Sequence, residues 1–524
     1  MPNSVITYSK DGKGIGGLNR SGATQIPDYD FDVVRNFRRD ASKRLITRRG
    51  IVIFGDDPDS KPCTSYFYHK RDDGGGKIAL RVSGTRMYKY TEATNVWTEI
   101  VAGLTEFETG TTKKTRWSFA VYKNVIICCD GVNNVKTITI PGGVVTDQAA
   151  LPKVRYLKYS ADRICGFGED ANPNSFYYSD AAPVAATNFA DNTVVVGGDE
   201  QGIGSGLKEI GNLVLAAKTK KIYVMNFATP SAQPLNAREG LYSSRAWLHT
   251  GNGTLMFNNE GISTLTVRGD FEGGQALERE VDSQKVNDLL KDILPVSYNS
   301  NAGFVLDNID YDQYFFAYDS NGDDVPDKTI VRSTFTGDYF EYTTPAGYDY
   351  GVYEMNDGEV KYIVASAISG QMYELESGFN DAGLAIDYEL YTKKWDFSAP
   401  EVWKDGDRFS IFGLKNKKSE IEVMVYLDDT LAVSATIDDT RIDITGGSQP
   451  IGVKPIGTLP IGKGVSTVDL FPYGIHIPLL AYGGFSRIQV RIRAFAQNTV
   501  FTLDKIAINW SGNTFDLLDY NKIA

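Results

Sequence analysis

The sequence predicts an all-β chain: a six- or seven-bladed β-propeller followed by a β-sandwich, with an extended N-terminal arm in front. Three observations support this prediction. Short apolar strands joined by tight polar turns recur along the chain, and helical periodicity is confined to one stretch. In addition, the 524 residues include 30 Tyr, 26 Phe and 52 Gly. Aromatic residues favour pleated strands, and glycine favours the turns between them.

The strand–turn–strand unit recurs in segments that place two apolar runs around an Asn- or Asp-containing turn. These segments are 115–131, 155–168, 245–262, 303–319 and 350–366. Their turns, together with the turn at Asn212, lie 38 to 58 residues apart. This spacing is close to the roughly 40–50 residues of one propeller blade. The repeat therefore predicts a propeller over residues 51–383.

The pattern is densest in residues 174–225. Apolar runs at 176–179, 193–196, 207–210, 213–217 and 222–227 are joined by Gly-, Asn- and Lys-containing turns. Such runs and turns are typical of antiparallel sheets. We expect this stretch to form one four-stranded sheet that buries its faces against similar neighbouring sheets.

The first 50 residues differ in charge from the rest of the chain. They carry 10 basic and 5 acidic residues, whereas the remainder carries 44 basic and 61 acidic residues. Seven of the basic residues fall within fifteen positions, and they are Arg35, Arg38, Arg39, Lys43, Arg44, Arg48 and Arg49. A basic segment on an acidic body suggests an arm that docks on a negatively charged partner, the alternative being a solvated segment.

Three short fragments of this N-terminal region resemble the opening of tail nozzle proteins of short-tailed bacteriophages. They are Gly16-Gly17-Leu18-Asn19, Asn36-Phe37 and Arg48-Arg49-Gly50. Residues 174–225 also resemble the propeller blades of these proteins, which include tail tubular and packaged-DNA stabilisation proteins. Residues 392–404 resemble the strand with which they leave the propeller.

The resemblance implies a structural virion protein of the tail, made in the host cytoplasm, rather than an enzyme. Such a subunit forms a ring with copies of itself, six of them by expectation. The ring contacts the portal or its adaptor and tail fibre or spike proteins, conducts DNA during ejection and retains the packaged genome. The net charge of −12 suits this function, because an acidic lumen repels DNA.

Cysteine and histidine usage excludes several site classes. The four cysteines Cys63, Cys128, Cys129 and Cys165 lack C-x-x-C spacing, and adjacent positions on a strand point to opposite faces. They are expected to be free thiols of the core, in a reducing compartment. The three histidines are scattered, which argues against a histidine metal site or a catalytic triad. We see no signal peptide and no apolar run of membrane-spanning length.

One stretch has helical periodicity. In residues 281–294, apolar side chains recur at Val286, Leu289, Leu290 and Ile293, and Pro295 follows. The spacing predicts a helix inserted between two blades. It would pack on the propeller flank or contact a partner.

The acidic turn at 318–328 has the sharpest local chemistry. Asp319, Asn321, Asp323 and Asp327 surround Gly322 with the spacing D-x-N-x-D-x-x-x-D. Oxygen ligands at alternating positions suit Ca²⁺. The string resembles calcium-binding repeats, but it occurs once, and Asp324 replaces the usual glycine. The sequence therefore predicts either a calcium site or a plain polar hairpin.

After the propeller, residues 384–524 are expected to form the sandwich. Apolar runs at 384–391, 408–412, 421–427, 431–437, 486–492 and 500–508 predict its strands. A Gly/Pro-rich insert at 445–466 repeats Pro-Ile-Gly every five residues, with isoleucines at Ile451, Ile456 and Ile461. Proline at this spacing blocks helix and central strand. The insert is read as an arm that contacts a partner, the alternative being a surface loop.

Two glycine patterns lack the context of a nucleotide site. Gly12, Gly14 and Gly17 match G-x-G-x-x-G, but no strand precedes them and no helix follows. Residues 457–463 match part of a phosphate loop, but Pro460 interrupts it and Gly464 replaces the Ser or Thr. No catalytic set emerges, so we expect no enzyme. Besides the nozzle subunit, a receptor-binding or lectin-like tail protein and a propeller hydrolase stay open.

Overall fold

The computed structural model describes residues 4–9, 18–19, 30–40, 44–105, 116–210, 213–235, 240–241, 243–250, 253–258, 261–268, 276–281, 284–286, 290, 302–306, 313–323, 325–334, 336–343, 346–367, 369–396, 403–416, 419–438 and 470–513. The described chain is almost entirely β-structure. Its five N-terminal strands are β1 (Ser4–Ser9), β2 (Phe31–Arg35), β3 (Phe37–Arg39), β4 (Leu45–Thr47) and β5 (Val52–Phe54).

Four blades follow, each an antiparallel sheet of four consecutive strands. Blade one consists of β6 (Cys63–Lys70), β7 (Lys77–Ser83), β8 (Arg86–Thr91) and β9 (Val96–Val101), and blade two of β10 (Ser118–Tyr122), β11 (Val125–Cys129), β12 (Val135–Thr139) and β13 (Val145–Gln148). Blade three consists of β14 (Tyr156–Ser160), β15 (Arg163–Phe167), β16 (Ser175–Tyr178) and β17 (Asn192–Val195), and blade four of β18 (Gly204–Ile210), β19 (Leu213–Lys218), β20 (Ile222–Asn226) and β21 (Ser231–Pro234). Short 3-10 turns lie at Ala186–Ala190 and Asp199–Gln201.

Three further blades complete the ring. Blade five consists of β22 (Trp247–Thr250), β23 (Gly253–Asn258), β24 (Gly261–Arg268) and β25 (Ala276–Val281). Blade six consists of β26 (Ala302–Leu306), β27 (Gln313–Tyr318), β28 (Lys328–Ser333) and β29 (Tyr339–Tyr342). Blade seven contains β30 (Gly347–Glu354), β31 (Val360–Ser366) and β32 (Met372–Glu374). The fourth strand of blade seven is β5 from the N-terminal region, which pairs with β32. Because β30 also packs on β6, the last blade meets the first. The described residues thus form seven blades.

The stretch 174–225 differs from the prediction of a single sheet. Residues 176–196 close blade three as β16 and β17, whereas 204–226 open blade four as β18 to β20. The glycine-rich link between them is the crossing from one blade to the next. At Gly204, an added methyl group would lie 2.9 Å from the Phe167 ring, so the close packing of β18 on blade three requires glycine.

The hydrophobic cores of the propeller lie between neighbouring blades, because successive side chains of a strand face opposite sides of its sheet. On β11, Ile126 and Cys128 pack towards blade one, whereas Ile127 and Cys129 pack towards blade three. The predicted orientation of the two adjacent cysteines is therefore confirmed. All four cysteines are buried free thiols, as predicted.

The sandwich follows the propeller. Its strands are β33 (Tyr388–Thr392), β34 (Trp403–Lys415), β35 (Ile421–Leu427), β36 (Thr430–Ile437), β37 (Phe471–Pro478), β38 (Gly484–Phe485), β39 (Ile488–Ala494), β40 (Thr502–Leu503) and β41 (Lys505–Asn513), with a 3-10 turn at Leu480–Tyr482. One sheet has the order β1-β41-β34-β37, with β38 on β34. The other continues blade six in the order β29-β2-β33-β39-β35-β36. Side chains of both sheets, such as Ile411 and Val423, share one hydrophobic core.

The N-terminal residues differ from the predicted extended arm over 1–50. β1 pairs with β41, β2 lies between β29 and β33, and β3 and β4 form a small sheet with β40. Leu18, Phe31, Val34 and Phe37 are buried in the core that the sandwich shares with the propeller. The sandwich is therefore built from both ends of the chain. The apolar residues of 31–37 are the physical reason: Phe31, Val34 and Phe37 are buried, and a register irregularity between Phe31 and Val33 interrupts the regular alternation of the strand.

Only part of the predicted helix at 281–294 lies among the described residues. Val281 ends β25, Gln284–Val286 forms a 3-10 turn, and Leu290 is helical. Val286 and Leu290 are buried in the same core as Leu18 and Phe31. In the described part of the chain, no helix is long and apolar enough to cross a membrane. The insert 445–466 lies outside the described residues.

Candidate functional site

The basic residues predicted to contact a partner lie at the joint between propeller and sandwich. Arg39 donates from Nε and from Nη2 to one oxygen of the Asp338 carboxylate, Oδ2, at 3.0 and 2.9 Å. Arg48 forms a bidentate pair with Asp381, with distances of 2.9 Å from Nη1 to Oδ1 and 2.5 Å from Nη2 to Oδ2. The Arg48 side chain is 1% exposed, so this pair is shielded from solvent. Desolvation by burial opposes the charged form of Arg48, but the charge and hydrogen bonds of Asp381, together with Tyr388 and Tyr342, raise its pKa.

Other members of the basic run also pair within the chain. Arg35 contacts Glu341 of blade six at 3.3 Å and Glu389 of β33 at 2.6 Å. Arg38 lies 3.5 Å from Glu376, with both side chains buried. The basic segment was predicted to dock on a negatively charged partner. For these residues, the carboxylates that pair with it belong to the same chain.

The remaining predicted contact residues have different surroundings. Arg44 pairs with Asp40 at 2.9 Å within the turn that joins β3 to β4. The Arg49 amide donates to Glu376 Oε2 at 3.4 Å. Lys43, Ile451, Ile456 and Ile461 lie outside the described residues, so contacts through them stay predictions.

Asn36 connects the parts of the joint. Its backbone is left-handed, with φ of 63°, which asparagine tolerates better than most residues. Its buried amide donates to Thr343 Oγ1 at 3.0 Å and to the Asp387 carbonyl at 2.7 Å. Its Oδ1 accepts a bond from Arg48 Nε at 3.0 Å. One side chain therefore links blade six, the start of the sandwich and the N-terminal strands.

The other two fragments behind the family resemblance also lie at this joint. The Leu18 amide donates to the Tyr339 carbonyl at 2.7 Å, and Asn19 Nδ2 donates to Asp30 Oδ2 at 2.9 Å. At Gly50, an added methyl group would lie 2.0 Å from the Asn380 carbonyl oxygen, so only glycine fits this contact. The described residues of the three fragments, with Leu18 and Asn19 representing the first, thus have a structural role at one place in the molecule.

The predicted calcium ligands lie in the hairpin between β27 and β28. Asp319 Oδ1 accepts the amides of Asn321 and Gly322 at 3.0 and 2.7 Å. Asp327 accepts the Ser320 amide and hydroxyl, and Asp323 accepts the Val325 amide at 2.9 Å. These bonds are those of polar turns. Among the described residues, no three Asp, Glu, His or Cys side chains converge as a metal site requires. The calcium site stays a prediction.

A second polar region lies in the central channel of the propeller. The first strand of each blade has an unpaired inner edge, whose backbone groups need other partners. Side chains supply them across blades: Ser65 Oγ accepts the Trp117 amide at 2.8 Å, and Asp349 Oδ2 accepts the Tyr66 amide at 2.9 Å. The channel is therefore polar where these strands begin.

Arg245 crosses this channel. It precedes β22 in blade five, and its Nη2 donates to the Trp117 carbonyl of blade two at 2.7 Å. The same nitrogen lies 3.0 Å from Asp349 of blade seven. In the neighbouring gap, Lys208 of blade four donates to the Trp247 carbonyl at 2.9 Å. Burial and the nearby charges of Lys158 and Arg245 lower the pKa of Lys208 to about 8.

The sequence interpretation did not include these channel residues, although a signal is present. Arg116, Arg155 and Arg245 stand one or two residues before the inner strands β10, β14 and β22. An arginine repeated just before three inner strands points to the channel, since these strands start at the same end of the propeller.

Comparisons with known proteins give structural neighbours only. No protein-family model matches the chain, and no curated protein matches it. The extracellular domain of the one component system BT4673 from B. thetaiotaomicron is 9% identical with a TM-score of 0.38; the match covers 65% of this chain and 41% of that domain. YCF48 bound to D1 peptide is 9% identical (TM-score 0.34, 65% and 95% covered), and the N-terminal domain of Nup159 is 7% identical (0.36, 66% and 98%). None of these similarities bears on function.

Proposed function

We propose that this chain is a non-enzymatic structural subunit of a phage tail nozzle, located in the tail of the virion. It forms a ring with copies of itself, contacts the portal or adaptor ring and fibre or spike proteins, and conducts and retains DNA. The observation that carries the proposal is the joint between propeller and sandwich. Described residues of the three fragments that resemble nozzle proteins, among them Leu18, Asn36 and Gly50, lie there and make buried contacts.

A ring subunit that carries load benefits from such a joint. The N-terminal strands pair with both the last blade and the sandwich, so the two parts share sheets rather than a flexible linker. The bidentate Arg48–Asp381 pair and the contacts of Asn36 add buried polar specificity. Separation of the two parts would break these bonds together.

The internal pairing of the basic segment also suits a DNA conduit. Arg35, Arg39 and Arg48 form ion pairs with carboxylates of the same chain. They are therefore not displayed as phosphate-binding groups, and the net charge of −12 is left to repel DNA at the surface. The inner surface of the proposed ring would therefore not bind the DNA that passes through it.

An exposed apolar cluster of the sandwich is our candidate for the contact between copies. Trp403, Leu480 and Tyr482 have exposed fractions of 47%, 69% and 42%. Trp403 packs close to Gly484, next to the 3-10 turn that carries the other two residues. Neighbouring exposed apolar side chains mark association surfaces more often than scattered ones do.

Electron microscopy and light scattering of the purified chain test the proposal. We expect rings at high protein concentration, and we expect Leu480→Asp to shift the population towards monomers. Val184→Asp is the matched control, because Val184 is 90% exposed on the propeller. A chain that stays monomeric at all concentrations, and alongside portal or adaptor rings, would refute the nozzle function.

A further inference from the structure

A second group of exposed apolar side chains lies where the sandwich meets the propeller. Leu384, Phe495 and Val52 have exposed fractions of 72%, 54% and 43%. They come from three segments that are far apart in sequence: the loop between β32 and β33, the turn after β39, and β5. Exposed apolar side chains that lie together are typical of surfaces that bind another protein. We call these three residues the joint cluster.

Hydrogen bonds bring the three segments of the joint cluster together. The Ala382 amide donates to the Ile51 carbonyl at 2.9 Å, which places the loop of Leu384 beside the start of β5. Gln497 Nε2 donates to the Gly383 carbonyl at 3.0 Å, which places the turn after β39 against the same loop. The joint cluster is therefore one surface and not three unrelated exposed residues.

The joint cluster is also held in place before any partner binds. Asp381 and Leu384 each donate an amide to the carbonyl of the other, both at 2.9 Å, so the tip of the loop is fixed. The Arg493 guanidinium lies 5.4 Å from the centroid of the Phe495 ring, and its Nε donates to Asp387 Oδ1 at 3.1 Å. Side chains that are ordered in advance lose little freedom when they bind.

The other exposed apolar group of the sandwich, which we call the tip cluster, consists of Trp403, Leu480 and Tyr482. It lies at the opposite end of the sandwich. Trp403 is the first residue of β34, whereas Lys415, the last of its 13 residues, pairs with Phe501 near the turn that carries Phe495. At about 3.3 Å per residue, β34 separates the two ends by roughly 40 Å.

A closed ring of more than two identical subunits needs two different contact surfaces on each copy, because its contacts are head-to-tail. A surface that binds only its own counterpart gives a dimer and stops there. On the basis of the proposed nozzle function, we infer that the joint cluster of one copy binds the tip cluster of the next copy in the ring. Their positions at opposite ends of the sandwich are what a head-to-tail contact requires.

Light scattering and electron microscopy of full-length variants test this inference. Leu384→Asp should raise the protein concentration needed for ring formation about tenfold or more, because a carboxylate would be buried in an apolar contact. Val184→Asp on blade three again provides the control, with assembly like that of the wild type. Phe495→Ala is the milder second variant if circular dichroism shows that Leu384→Asp folds poorly, and it should weaken assembly in the same direction.

A mixture of Leu384→Asp and Leu480→Asp gives the sharper test. Each variant keeps one intact surface, so the tip cluster of the first should bind the joint cluster of the second. We expect dimers with one copy of each variant, and no rings, because the two remaining surfaces are both altered.

Two outcomes overturn the inference while the nozzle function stands. One is rings of Leu384→Asp and of Phe495→Ala at the concentrations that suffice for the wild type. The other is a mixture that stays monomeric although the wild type forms rings. A wild type that does not assemble at any concentration, or alongside portal or adaptor rings, refutes the nozzle function and this inference together.

Discussion

At the scale of single residues, Arg48 is the group on which most of the joint depends. Its guanidinium contacts Asp381 of the propeller side, Asn36 of the N-terminal strands and the Arg49 carbonyl. It also lies over the Tyr342 ring, 5.3 Å from the centroid. A lysine could not make the bidentate pair, because the planar fork of arginine is what matches both carboxylate oxygens.

Replacement of Arg48 by Met should therefore destabilise the protein strongly. Removal of one partner from a buried ion pair leaves the other charge uncompensated, which costs about 3–5 kcal/mol. Urea unfolding of the full chain measures this loss. The exposed pair of Arg86 and Glu99, at 3.0 Å, provides the control, and Arg86→Met should leave the unfolding midpoint unchanged. Equal effects of the two changes would mean that the joint does not depend on Arg48.

Residue-level features differ in how far the sequence reveals them. The opposite orientation of Cys128 and Cys129 follows from the period of a strand, and it is found. The partners of Arg39 and Arg48 are about 300 positions away, at Asp338 and Asp381. A basic run predicts ion pairs with carboxylates, but charge alone does not tell whether those carboxylates belong to another molecule or to the same chain.

At the scale of elements, β5 has the most consequential position. It is three residues long, yet it supplies the outer strand of blade seven and so ties the start of the propeller to its end. Its Phe54 packs among Tyr90 and Trp97 of blade one and Tyr353 of blade seven, with ring centroids 4.6, 6.3 and 5.5 Å away. The ring is thus closed by hydrogen bonds and by an aromatic cluster together.

Phe54→Ala should loosen this closure. Truncation of a buried phenylalanine typically costs about 3–5 kcal/mol, since it removes buried area and leaves a cavity. Hydrogen exchange should show the largest loss of protection in β30 to β32 and β6. Val52→Ala on the same strand is the control, because Val52 is exposed and its truncation should change stability by about 0.5 kcal/mol or less. Uniform loss of protection over all blades would contradict a closing role.

The acidic turn between β27 and β28 gives a second test at this scale. If the D-x-N-x-D spacing binds Ca²⁺, calorimetry with millimolar Ca²⁺ should give saturable heat for the wild type and none for Asp323→Ala. Asp323 is the useful position, because its described bonds stay within the turn, so its loss should not unfold the blade. Null heats for both proteins would mean that the carboxylates only cap the turn.

Elements are predicted well where periodicity is local. The strand predicted at 421–427 is found as Ile421–Leu427, and the one at 431–437 as Thr430–Ile437. Residues 174–225, by contrast, show that strands found in sequence do not reveal which sheet they join. Blade boundaries depend on close packing such as that of Gly204 on Phe167, which is a long-range property.

At the scale of the whole molecule, the two parts are joined by exchange of strands rather than by a linker. The sandwich takes β1 and β2 from the N-terminal region and continues the sheet of blade six. Propeller and sandwich follow from the repeat spacing and from the strands after residue 384. The use of both chain ends in one sandwich does not, because pairing between β1 and β41 joins residues about 500 positions apart. Sequence patterns therefore predicted the propeller and the sandwich, but not which strands join the two parts.

The Pro-Ile-Gly insert provides the test of assembly at this scale. Residues 449–463 lie outside the described residues, and proline at every fifth position restricts the chain before any contact is made. Each of Ile451, Ile456 and Ile461 could contribute roughly 1.5–3 kcal/mol if it were buried against a partner. Under the proposed nozzle function, we therefore expect the insert to serve assembly rather than folding.

Deletion of residues 449–463 should leave the thermal unfolding of the monomer unchanged while it impairs ring formation or attachment to the virion. Light scattering and electron microscopy report assembly, and circular dichroism reports folding. A triple change of Ile451, Ile456 and Ile461 to Ser keeps the length of the insert and should have the same effect on assembly, because the expected contact is apolar. A deletion that unfolds the chain would make the insert part of the core. Virions that assemble normally and keep their DNA would make it a surface loop without a role in the ring.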